Sequence, residues 1–121
     1  MKSTQEKPST TSVVNIAAGG WYAWINMMPP PPDDFHVIGE VEVANPGVKA
    51  ELTKRIPQGI NQKILLLDLH LVQQPGMWPQ VMTSATARYD QILTPKSVHF
   101  EQVQIFYMGS VIATLDVEIN K

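Results

Sequence analysis

Cysteine is absent from this chain, which removes disulfide bonds, thiolate metal sites and cysteine nucleophiles from consideration. Its absence also points to a reducing compartment, because disulfides do not persist there, and the expected location is cytoplasmic. Charge is scarce: charged residues make up 17% of the chain, nine basic against eleven acidic, for a formal net charge of -2. The densest basic group is Lys54 and Arg55, with Lys49 nearby. That is no counterion-displacing stripe, so nucleic acid is not an expected partner. Long apolar runs are missing too. The longest block, Ile64 to Leu67, is interrupted by Asp68 and His70, whereas a membrane-spanning helix needs roughly 18 or more apolar residues. The short run Val13, Val14, Ile16, Ala17 and Ala18 is too brief for the core of a signal peptide. A soluble protein with no membrane contact is expected.

Helical periodicity is the last absence. From residue 20 onward the apolar side chains alternate, which is the period of a strand. At the C-terminus Val111, Ala113, Leu115, Val117 and Ile119 point one way and Thr114, Asp116 and Glu118 the other. Before them Val103, Ile105 and Tyr107 alternate with Gln102, Gln104 and Phe106, and Met108–Gly109–Ser110 make the connection of a hairpin in which Gly109 takes positive φ. A second hairpin joins Phe35, Val37, Val41 and Val43 to Val48, Ala50 and Leu52 through the turn residues Asn45, Pro46 and Gly47. Leu65, Leu67, Leu69 and Leu71 line one face of a strand from about Gln62 to Gln73, the most apolar and hence central one. Trp21–Met27 and Gln80–Tyr89 complete the set. Proline punctuates the gaps at Pro29–Pro32, Pro57, Pro75, Pro79 and Pro95, since proline cannot donate to a ladder.

A chain of 121 residues, 44% hydrophobic, fits one ordinary domain. The polar stretch 1–12, rich in Ser, Thr, Lys and Gln, reads as a disordered tail, and 13–121 as a single domain. About seven strands joined by short turns bury one face of each sheet most readily as two stacked sheets. The expected fold is all-β: an antiparallel, immunoglobulin-like β-sandwich, with a flattened β-barrel as the alternative.

Signals for chemistry are thin. His70 and Asp68 share a strand face, with His36 on another strand, but two residues at that spacing are common on any solvated face and no third metal ligand is specified. Glu40 and Glu42 read as solvated in the polar phase of a strand and Asp33–Asp34 as part of a loop after four prolines, no G-x-S-x-G elbow occurs, and Gly19–Gly20 precede a strand rather than a phosphate-binding helix. No cofactor or metal is expected, and enzymatic activity is not. The Pro29–Pro32 run reads as a rigid connector.

Two features point to binding. Ile38, Ile64, Leu66, Phe106 and Ile112 fall in the solvent-facing phase of four different strands. Gathered on one sheet they would form an apolar patch of the kind that marks an interface, here between copies of the chain in a homo-oligomer. The bland explanation is a one-residue register slip, for instance at a bulge near Gly39. The second feature is the tryptophans: Trp21 and Trp24 occupy opposite faces of one strand and Trp78 lies in a loop. Core closure accounts for aromatics most often, but an exposed ring offers a stacking surface to a small molecule or carbohydrate, with His36, Asp68 and His70 as candidate polar contacts. The sequence therefore supports a non-enzymatic interaction module that self-associates through an outer sheet face, or else a ligand-binding domain that uses exposed tryptophans.

Overall fold

The computed structural model describes residues 15–16 and 20–120, so the N-terminal stretch 1–12 lies outside the described residues. Every regular element within them is a strand: β1 (Asn15–Ile16), β2 (Tyr22–Asn26), β3 (Asp33–Val43), β4 (Val48–Lys54), β5 (Ile64–Gln73), β6 (Thr83–Leu93), β7 (Gln102–Tyr107) and β8 (Ser110–Asn120). The fold is all-β, as the alternation requires. Among the described residues no helix is long and apolar enough to cross a membrane.

The strands make two faces joined by β8. One runs β6–β3–β2–β8, with β1 beside the far end of β3; the other runs β8–β7–β5–β4. β8 serves both because its first part, from Ser110 to Asp116, pairs with β7, while Val117–Asn120 pair with β2. The β4 and β6 edges come side by side without a ladder between them. The sheet thus curls into a nearly closed barrel, between the sandwich and the flattened barrel that the sequence allows. Pairing is antiparallel except at β2/β8 and β5/β7, which are parallel. A parallel pair needs a long crossover, and between β5 and β7 that crossover is β6, which crosses to the opposite face before the chain returns.

The inward phase builds the core. Ala23, Ile25, Phe35, Val37, Val41, Val43, Ala87 and Leu93 face Val48, Ala50, Leu52, Leu65, Leu67, Leu69, Val103 and Ile105. Each large aliphatic or aromatic side chain so buried stabilises by about 1.5–3 kcal/mol relative to exposure. Phe35 is the hub, meeting Phe100 edge-on at 5.1 Å and Tyr89 at 6.3 Å.

A gap in this inward phase is filled from outside the strand. Gly39 carries no side chain, and the indole of Trp21 lies over it, so that a Cβ there would sit 2.2 Å from the ring. The β3–β6 register runs through Gly39↔Ala87 without interruption, so the bulge expected near Gly39 is not there. The register shift falls instead in the β7–β8 hairpin, where Ile105 pairs with Ala113 but Phe106 with Val111. Ile112 is the extra residue, and the slip turns it toward the core while leaving Val111 half exposed.

Candidate functional site

Alternation along β2 sends Ala23 and Ile25 inward and Tyr22, Trp24 and Asn26 outward. On β3 the same rule turns Asp34, His36 and Ile38 outward, and on β6 Arg88, Asp90 and Ile92. Register then decides which of these meet. Trp24 pairs with Glu118 on one side and His36 on the other, and His36 pairs with Asp90, so Glu118, Trp24, His36 and Asp90 form a row across four strands. Tyr22, Ile38 and Arg88 form the row on one side of it, and Asn26, Asp34 and Ile92 the row on the other.

The rings are contiguous. Trp24 lies 5.0 Å from His36 and 5.2 Å from Tyr22, centroid to centroid, tilted by 36° and 35°. Polar bonds hold them in place. The Tyr22 hydroxyl donates to Glu118 Oε1 at 2.7 Å. His36 Nδ1 meets Asp90 Oδ1 at 2.6 Å, and its Nε2 meets Asp34. Carboxylates only accept, so both bonds form together when both ring nitrogens carry a proton. Arg88 Nε donates to both oxygens of Asp90, at 3.1 and 2.9 Å.

These contacts shift two groups. The Tyr22 hydroxyl is held above its ordinary value, first by its hydrogen bond to Glu118, then by burial and by the charge of Glu118. Burial raises the Asp90 carboxyl, but the hydrogen bonds from His36 and Arg88 and their charges together outweigh it, so the net shift is downward. The result is a solvent-facing aromatic surface bordered by carboxylates on three strands and one guanidinium. It can stack against an apolar ring face while exchanging hydrogen bonds with the polar groups around that ring.

The other residues singled out from the sequence are elsewhere. Trp21 is buried in the core over Gly39 and offers no ring to a ligand. Trp78 closes the turn after β3: its ring covers Gly47, where a Cβ would lie 2.3 Å away, and its Nε1 donates to the Gln74 carbonyl at 3.0 Å. Asp68 and His70 share an outer face, as their spacing dictates, but it is the face of β4, β5 and β7, opposite His36. There Asp68 accepts from Arg55 at 2.7 Å, and His70 bonds Thr53 Oγ1 at 2.7 Å. Among the described residues no group of His, Cys, Asp and Glu is arranged to hold a metal.

The five apolar residues proposed as an interface do not converge. Ile64, Leu66 and Phe106 do share the outer face of the β5/β7 pair. Ile38 belongs to the opposite face, beside Tyr22, and Ile112 packs against the core. The three that remain together are partly covered: the Arg55 guanidinium sits 4.3 Å from the centre of the Phe106 ring, and the Gln58–Gly59 loop lies over Leu66. Sequence reasoning named Trp24 and His36, weighed Asp34 only as half of an acidic pair in a loop, and missed Tyr22, Arg88, Asp90 and Glu118. The strand phase of Tyr22, Arg88 and Glu118 was readable, whereas Asp34 and Asp90 fall outside the expected strands, and pairing across chain separations of up to 96 residues was readable for none of them. No protein-family model, curated protein or solved structure matches the chain.

Proposed function

We propose that this protein is a non-enzymatic recognition module that binds a carbohydrate on the outer face of the β6–β3–β2–β8 sheet. The observation that carries this reading is the row Glu118–Trp24–His36–Asp90 with Tyr22 beside it, a contiguous ring surface on a solvent-facing sheet. A sugar ring presents an apolar C–H face to an aromatic and hydroxyls around its edge, and both kinds of partner are at hand here. Trp24 and Tyr22 supply the stacking surface. The carboxylates of Asp34, Asp90 and Glu118 retain acceptor capacity beyond the bonds described, and Arg88 contributes further donors. Because His36 is clamped from both sides and Tyr22 is tied to Glu118, these side chains lose little freedom on binding, which favours affinity. A cytoplasmic setting belongs to this reading and rests on the absence of cysteine alone.

Affinity electrophoresis tests it, in native gels containing barley β-glucan, xylan or galactomannan. The wild-type chain is expected to be retarded by at least one polysaccharide. W24A, a change on the outer face, is expected to run as it does in a plain gel, while W78A keeps the retardation. Free migration of the wild type in all three gels, or equal retardation of wild type and W24A, would overturn the proposal.

A further inference from the structure

The end of the β4/β6 seam carries a cleft of about 240 Å³ between the β4–β5 connection and the segment leading from β6 to β7. Its walls include Lys54, Gln58, Gln91, Ser97, Val98 and Phe100. Lys54 and Gln91 enter it from the inward phase of β4 and β6, and it is separate from the aromatic row on the outer face of the β6–β3–β2–β8 sheet.

Its chemistry is one-sided. Phe100 backs onto the core through its edge contact with Phe35, and together with Val98 it gives the cleft an apolar wall. No carboxylate lines it. The carboxamide of Gln58 is committed to the Leu66 backbone and the Arg55 carbonyl, and Ser97 Oγ accepts from the Thr94 amide. Gln91 uses its oxygen to accept from the Tyr89 hydroxyl at 2.8 Å, which leaves its NH2 group to donate. Lys54 forms no ion pair among the described residues, whereas its neighbours Arg55 and Lys63 are paired with Asp68 and Glu101. The site therefore offers a cation and an amide donor beside an aromatic wall, with no anion of its own.

We propose that this cleft is a second binding site, for a small organic acid whose carboxylate meets Lys54 and Gln91 and whose apolar body packs on Phe100 and Val98. Pockets for drug-sized ligands span roughly 300–1,000 Å³, so the volume here suits an acid with a single ring. Binding at this site does not depend on the aromatic row.

The test is a titration of the ¹⁵N-labelled chain with benzoate and, separately, with benzyl alcohol, which keeps the ring and lacks the charge. Benzoate is expected to give saturable shifts confined to Lys54, Gln58, Gln91, Ser97, Val98, Phe100 and their neighbours, and to bind more tightly than the alcohol. K54Q alters an exposed side chain and should weaken benzoate by about fivefold, the upper range for an exposed charge pair, while leaving the alcohol unchanged. Q91E, which adds a like charge, should weaken benzoate as well. Shifts that are absent or scattered over the surface, equal binding of acid and alcohol, or an unchanged benzoate affinity in K54Q would each overturn the proposal.

Discussion

Asp90 takes its properties from two neighbours on one sheet face, His36 and Arg88, and the consequence is measurable. Desolvation raises its carboxyl, but His36 and Arg88 donate to it and their charges favour the ionised form, so it titrates below its ordinary value of 3.8. A carboxyl with a depressed folded pKa adds stability that is complete above the unfolded value and disappears as pH falls through the folded one. The stability difference between wild type and D90N should therefore be full at about pH 5 and shrink toward about pH 2.5. Urea midpoints at the two pH values check it. A gap that widens on acidification would contradict the clamp around His36. Asp90 is about half exposed, so solvent screening keeps the effect modest. Single residues also show where sequence stops informing. Trp21 and Trp24 were assigned opposite faces from spacing alone, and the structure places one in the core and one on the surface. Which face was the core was settled by Gly39, whose missing side chain makes room for the Trp21 ring.

At the scale of elements, β5 shows how an edge is finished without a strand. β4 ends at Lys54, yet Leu66 lies beyond the last paired position of β4 and still has its backbone satisfied. Arg55 N donates to its carbonyl at 2.9 Å, and the Gln58 side chain takes the place of a strand residue, with Nε2 donating to the same carbonyl at 2.8 Å and Oε1 accepting from the Leu66 amide at 2.9 Å. Q58A leaves that amide without its partner. The expected loss is about 1 kcal/mol, the low end for a partly buried orphan. Exchange of the Leu66 amide should speed markedly while that of Leu65 and Leu67 changes little; an unaltered Leu66 rate would show that the loop backbone, not the carboxamide, protects it. Most strands were legible because their alternation is clean, and the exceptions have physical causes. β6 extends to Leu93, past the expected end at Tyr89, because the polar Gln91 occupies an inward position and breaks the apolar pattern. Its start moves to Thr83, since Val81 turns back to bond the Pro79 carbonyl at 2.9 Å. The β8 bulge showed only as an apolar Ile112 in the solvent-facing phase, and its place was not readable, because a register slip is located only once the partner strand is known.

For the whole molecule, the curl of the sheet through β8 determines which surfaces exist. Strand phase told which side chains point away from the core, but two outer faces are available, and only the pairing of β2 with β8 and of β3 with β6 says which residues share one. That is why the aromatic row and its carboxylates emerge from the fold rather than from the chain, and why the five apolar residues separate. Burial of an apolar patch can hold a dimer when the patch is contiguous and open to a partner. Here Ile38 and Ile112 are removed from it, Arg55 covers Phe106, and the Gln58–Gly59 loop covers part of Leu66. F106E places a carboxylate beneath the Arg55 guanidinium, which is already shared with Asp68, so the change is tolerable in the folded chain. Light scattering coupled to size exclusion should give F106E and wild type the same solution mass at every concentration. A wild-type dimer that F106E dissociates would mean that the Arg55 side chain swings aside for a partner, making the outer face of β5 and β7 an interface after all.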